Sequence, residues 1–178
     1  MSAGLPGLVG KDHTGLTVPD LDEALDFFVR VLGCKHVFTF GPIEDPQGDF
    51  MTQALGVHAR ARIKRCAMIR VGGVGNLELF EYEAPDQRNL EPKNSDIGAF
   101  HVALYVEDIA AAKAYLDAQG ILTRLGPIPI EAGPNAGQTI LYFQAPWGLQ
   151  LEAVSYPKGM AYELSTTERL WSPRDPAA

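Results

Sequence analysis

The chain contains one stretch of its own sequence twice. His13 to Phe28 and His101 to Leu116 align at a constant offset of 88, with no gap. His13 falls on His101, Val18 on Val106, Asp20 on Asp108, Leu21 on Ile109 and Ala24 on Ala112. A repeat of this length means two copies of one supersecondary unit. Each copy is a short alternating strand running into an amphipathic helix. Asp20 followed by Glu23 has the form of a capping box with Asp20 at the N-cap, and Asp108 takes that place in the second copy. Leu21, Ala24, Leu25, Phe28 and Leu32 recur at helical spacing, as do Ile109, Ala112 and Leu116. Gly33 and Gly120 stand where a left-handed residue ends each helix.

Strand-like runs follow each helix. They are Lys35 to Phe40, Cys66 to Val71 and Asn76 to Tyr82 in the first copy. In the second they are Leu122 to Gly126, Thr139 to Gln144 and Gly148 to Ser155. The stretches Val71-Gly72-Gly73-Val74-Gly75-Asn76 and Ala145-Pro146-Trp147-Gly148 are matching turns before each last strand. The fold class is therefore α+β, with two βαβββ modules. One sheet face of each module is covered by its helix, and the two remaining faces are expected to border a shared cavity. The organisation is an arm at 1–9, a module at 10–83, a linker at 84–98, a module at 99–156 and a tail at 157–178.

The chain has 178 residues, enough for one good-sized core or two small modules. Its net charge of −7 argues against general nucleic-acid binding, which depends on phosphate contacts. Two Cys are too few for a disulfide framework or a Cys-based zinc site. No apolar run is long enough to span a bilayer. The start MSAGLPGLVGK lacks the basic and apolar regions of a signal peptide, so a soluble cytoplasmic protein is expected.

Strand alternation puts His13, Gly15 and Thr17 on one face and Leu16 and Val18 on the other. In the second copy His101, Ala103 and Tyr105 take the matching face. The apolar faces should pack on the helices, so both His look into the cavity. The last strands add a second pair, Glu78 between Leu77 and Leu79, and Glu152 between Leu151 and Ala153. Glu81 has the wrong parity to replace Glu78. A lone His or Glu on a strand is usually structural. Two pairs at repeat-equivalent positions are better explained as metal ligands. Imidazole nitrogen and carboxylate oxygen suit Zn, Fe, Mn, Co or Ni. His13, Glu78, His101 and Glu152 are the candidate ligands. Phe80, Tyr82, Tyr105 and Gln150 share their faces and are candidate pocket walls.

The motifs His13-Thr14-Gly15-Leu16-Thr17-Val18-Pro19-Asp20, Leu77-Glu78-Leu79, His101-Val102-Ala103-Leu104-Tyr105-Val106 and Pro146-Trp147-Gly148-Leu149-Gln150-Leu151-Glu152 resemble the vicinal oxygen chelate superfamily. That group includes glyoxalase I, methylmalonyl-CoA epimerase, extradiol dioxygenases, fosfomycin-resistance enzymes and bleomycin-resistance proteins. The resemblance covers about residues 10 to 156. It implies two βαβββ modules forming a half-barrel around a central metal cavity, one divalent metal per site, and a small-molecule substrate that chelates the metal through adjacent oxygens. It also implies proton movement by Glu152 or Glu78 beside a polarised carbonyl, and a homodimer.

Departures from the family's branches narrow the activity. Glyoxalase I has an Arg four residues after its first His and an Asn four residues after its first Glu, both used on glutathione. Here those positions are Thr17 and Tyr82. Residues 122 to 156 hold one basic residue, Arg124, against the cationic cluster of the fosfomycin-resistance enzymes. Bleomycin-resistance proteins usually lack the metal ligands. An epimerase or isomerase acting by proton abstraction is the expectation. Left open are a glyoxalase-like lyase, a two-module extradiol dioxygenase using His13, His101 and Glu152, and a non-catalytic binding or resistance protein.

Residues 41 to 66 form a long insertion, a candidate lid. Its Arg60 and Arg62 are candidates for holding an anionic substrate group, or they pair with nearby acids such as Glu44, Asp45 and Asp49. His58 reads as a surface residue. Gly126 to Asn135 reads as a shaped loop at the cavity mouth. In the tail, Ser165 to Glu168 is expected to cap a helical turn, SPRDPAA to be disordered, and Leu170 and Trp171 to need a partner surface.

Overall fold

A computed structural model describes residues 5–73 and 75–175. The first four arm residues, Val74 in the expected turn and the last three tail residues lie outside the described residues. The chain divides into two compact units, Met1–Arg88 and Asn89–Ala178.

The first unit is built from β1 (Thr14–Val18), α1 (Leu21–Leu25), β2 (Lys35–Phe40), β3 (Ile43–Glu44), α2 (Phe50–Leu55), β4 (Arg62–Val71) and β5 (Gly75–Glu83). Its sheet order is β1-β5-β4-β2, with β3 paired to β4. The last strand, β5, lies parallel to the first, with Gly15 opposite Glu78. Asp20 caps α1 by accepting from the amides of Asp22 and Glu23 at 2.8 and 2.9 Å. The helix continues as a π-helical stretch over Asp26–Val31. The wider turn moves the buried stripe from the expected Leu25 and Leu32 to Phe27 and Val31, beside Leu21, Ala24 and Phe28. This stripe, with Leu16, Val18, Ala67, Ile69, Leu77 and Leu79, forms the core.

The second unit repeats the plan with β6 (Val102–Tyr105), α3 (Ile109–Ala118), β7 (Ile128–Pro129), β8 (Thr139–Gln144) and β9 (Gln150–Ser155). The order is β6-β9-β8-β7, and β6 is parallel to β9 with Ala103 opposite Glu152. Asp108 caps α3 through the amides of Ala110 and Ala111. Leu116, Leu141, Phe143, Leu151 and Ala153 are its buried apolar residues on the helix side. Gly33 and Gly120 end their helices at φ 74° and 72°.

Four expectations need correction. Leu122 to Gly126 forms no strand beyond a single bridge from Thr123 to Phe143, and the edge strand is Ile128–Pro129. Gly126 has φ 147° and turns the chain before the sheet edge. The insertion at 41–66 is more than a loop. It holds β3 and α2, and its Met51, Ala61 and Ile63 join Cys66 in a small apolar core. The tail's helical turn is Ala161–Leu164, earlier than expected, because the side chain of Glu163 caps Met160 N–H at 3.0 Å. Ser172 to Asp175, expected to be disordered, is instead bridged back on itself. No helix among the described residues is long and apolar enough to cross a membrane.

Candidate active site

Each unit places one His against one Glu on the sheet face opposite its helix. In the first, His13 sits just before β1 and Glu78 in the middle of β5, and the parallel register brings them together. His13 Nε2 lies 3.1 Å from Glu78 Oε2. In the second, the same register brings His101 Nε2 to 3.1 Å from Glu152 Oε2. A gap of about 3 Å is also the spacing of two adjacent donors on an ion with bonds of about 2.1 Å, so each pair fits as half of a ligand set. The described residues gather no group of three or more His, Cys, Asp and Glu that could hold a metal.

The surroundings of the pairs differ. His13 Nδ1 is 2.6 Å from Asp12 Oδ1, and this hydrogen bond is the main reason its pKa is raised. A carboxylate on Nδ1 orients the ring and leaves Nε2 as the donor that faces a metal. Cys66 Sγ is 3.5 Å from Glu78 Oε1. Burial, with help from the Glu78 charge, pushes the Cys66 thiol up to about 12, so it stays protonated. His101 instead meets the ring of Tyr142 edge to face, with centroids 5.3 Å apart. Glu152 is the more buried carboxylate. Burial raises its pKa, and the charge and hydrogen bond of His101 oppose the shift. Two carboxylates at matching positions thus differ in environment, which is how proteins divide acid and base roles.

The remaining candidates are placed as follows. Phe80 and Tyr82 lie on the same face as Glu78, with ring centroids 5.5 Å apart, and pack on the insertion's apolar core. Tyr105 packs edge-on against Tyr156 at 5.0 Å. Gln150 sits opposite Gln144 at the end of β9. Arg60 donates to the carbonyls of Asp45 and Gly48, which ties off the loop before α2. Arg62 pairs with Glu44 at 3.4 Å. His58 is exposed and accepts from the Arg60 amide.

Sequence reasoning missed three features. Tyr142 is the cross-strand partner of Glu152, as Met68 is of Glu78, a relation that strand register alone reveals. Glu81, buried on the helix side, is held by Lys64 and by Arg65 at 2.8 Å, and Arg65 also reaches Asp22. A bulge between Ile63 and Arg65 turns these two adjacent cations toward one carboxylate. Finally, the tail lies along the open face of the second unit. Glu152, Tyr142 and Tyr156 join Leu170, Trp171 and Arg174 around a cavity of about 610 Å³.

The family model for the Glyoxalase/Bleomycin resistance protein/Dioxygenase superfamily matches residues 12–142. A 2-epi-5-epi-valiolone epimerase from Actinomyces sp is 48% identical over 171 residues, 96% of this chain and 92% of that protein. Among solved structures, a glyoxalase family protein from Bacillus cereus aligns with TM-score 0.67 at 18% identity, over 86% of this chain and 98% of its own. A fosfomycin resistance protein from Listeria monocytogenes, complexed with Mn(II) and sulfate, aligns with TM-score 0.54 at 14% identity, over 89% and 99%.

Proposed function

The chain belongs to the Glyoxalase/Bleomycin resistance protein/Dioxygenase superfamily, and from that footing we propose that it is a divalent-metal-dependent epimerase acting on a 2-epi-5-epi-valiolone-type cyclic polyol ketone. The observation that carries this reading is the 48% identity to an epimerase along almost the whole of both chains. Within the proposal the metal donors are the two His–Glu pairs, His13 with Glu78 and His101 with Glu152. Their imidazole and carboxylate donors suit Zn, Fe, Mn, Co or Ni. A bound ion supplies a Lewis acid that draws electron density from the ketone and stabilises the charge that develops beside it.

The chain's own carboxylates move the proton. Inverting a stereocentre beside a ketone requires removing the α-proton and returning one to the opposite face. Glu152 is our choice for the group that takes it. Its burial brings its pKa closer to working pH, where a base is most effective, and His101 holds its orientation. Glu78 is the second acid–base group. The tyrosines beside these pairs exclude water and hydrogen-bond the substrate's oxygens. The proposal extends to a cytoplasmic homodimer, and sedimentation equilibrium tests the oligomeric part.

The test is incubation with 2-epi-5-epi-valiolone in D2O, followed by proton NMR. The expected result is loss of the α-proton signal together with appearance of the epimer, abolished by chelator and restored by a divalent ion. No exchange and no epimer, with metal present at about one equivalent, would overturn it.

A further inference from the structure

We infer that the C-terminal segment around Trp171 is a substrate-binding wall, with the indole serving as a platform for the non-polar face of a ring polyol. The inference deepens the functional reading above and rests on it for the choice of substrate.

Three observations carry it. First, the segment is built into the second unit. Ala161 and Tyr162 donate to the carbonyls of Ala136 and Pro134, both at 2.9 Å. Gly137 has φ 99°, and a Cβ there would come 2.7 Å from the Gly159 carbonyl oxygen, so the loop and the tail meet backbone to backbone. Second, the residues on both sides of Trp171 are fixed while the indole is not buried. The Leu170 amide donates to Tyr162 Oη at 3.0 Å, and Ser172 Oγ lies 3.0 Å from Tyr156 Oη. Arg174 donates to the Tyr156 carbonyl at 3.2 Å, pairs with Glu163 at 3.3 Å and stacks over the Tyr156 ring. Trp171 itself is 55% exposed and lines the same cavity as Glu152. A large aromatic held in place yet left open to a cavity is suited to being covered by a ligand. Third, the family model ends at residue 142, whereas the match to the epimerase spans 96% of this chain and so takes in most of the tail. The wall belongs to a tail that lies beyond the family model and is mostly included in the epimerase match.

The ligand class follows from the lining. A cyclitol ring offers C–H groups on its faces and hydroxyls at its rim. The indole takes a face, and Asn135, Gln138 and Tyr162, which line the same cavity, offer partners for hydroxyls. Both arginines of the lining are already committed, Arg174 to Glu163 and Tyr156 and Arg169 to the carbonyls of Thr166 and Glu163, which favours a neutral polyol over a phosphorylated one.

The experiment combines kinetics and fluorescence. Trp171→Ala should raise KM for 2-epi-5-epi-valiolone about tenfold and leave kcat within about twofold, and Trp171→Phe should restore most of the loss. Metal content and thermal midpoint should match wild type. In Trp147→Phe, Trp171 is the remaining indole of the chain's two. Its emission should change saturably with 2-epi-5-epi-valiolone and, more weakly, with myo-inositol. A wild-type KM in Trp171→Ala with no fluorescence response to either compound overturns the wall and leaves the epimerase reading standing. A fluorescence response without turnover overturns the epimerase reading and leaves the wall standing.

Discussion

In the first unit the segment laid over the open sheet face is an insertion between β2 and β4, and in the second it is the tail after β9. The insertion brings Met51, fully buried, onto Phe80 and Tyr82 and closes its end of the face with apolar packing. The tail brings Trp171 and Arg174 across the second face and leaves a cavity of about 610 Å³. Two modules with the same register and the same His–Glu spacing have thus been covered by different segments, one adding a small apolar core and the other bordering a cavity. The difference teaches that the repeat sets where the donors stand, and that the segments outside the repeat decide how much room lies beside them.

The comparison can be pressed from its strongest consequence downward. Glu152→Gln should lower kcat by about 10³-fold or more, and Glu78→Gln by less, because Glu152 is the more deeply buried of two matched carboxylates. Steady-state kinetics beside metal analysis reads this, and equal losses would erase the distinction between the pairs. Met51→Ala should cost about 2–5 kcal/mol in urea unfolding, because it empties a packed site. If Met51→Ala were as mild as Trp171→Ala, the first cover would not be a core.

A third substitution makes the second unit resemble the first. Tyr142→Met, which places at β8 the residue found at the matching position 68, removes the edge contact to His101. The expected loss is about tenfold in kcat with the fold intact by circular dichroism. An unchanged kcat would mean that the ring does not position His101. The smallest effect is on the side away from the site. Burial pushes Glu81 up, but hydrogen bonds from Lys64 and Arg65 outweigh it and hold its pKa below the ordinary value. A depressed folded-state pKa gives stability that is present above the unfolded value and lost as pH falls through the folded one. Glu81→Gln should therefore cost about 1–2 kcal/mol at pH 7 and progressively less below about pH 4, followed by denaturant midpoints across that range.

The positions of the four donors were legible because strand parity and the repeat act on the same residues. Alternation alone separates Glu78 from Glu81, and the structure puts Glu81 among Leu77 and Leu79 on the buried side. Asp20 and Asp108 were legible because a cap is a local device. What escaped the sequence was non-local or irregular. The π-helical stretch shifts the stripe to Phe27 and Val31 without a marker in the residues themselves. The Lys64 bulge changes which way two cations point, and alternation has no symbol for an extra residue. The tail could be read only as a helical turn, two apolar residues in need of a surface and a disordered end, because its anchors, Pro134 and Ala136, belong to a loop far from it in the chain. Those anchors bring Leu170 and Trp171 to the cavity of the second unit, where both remain exposed.

The parallel pairing of each module's first strand with its last has a kinetic consequence. His13 and Glu78 come from opposite ends of their unit, as do His101 and Glu152, and the sheet between them must assemble before either pair exists. Closing such long loops is slow compared with forming the helices. During refolding, helical signal should therefore return first, and the capacity to bind a transition ion should return only with the final strand, as the last event in each half.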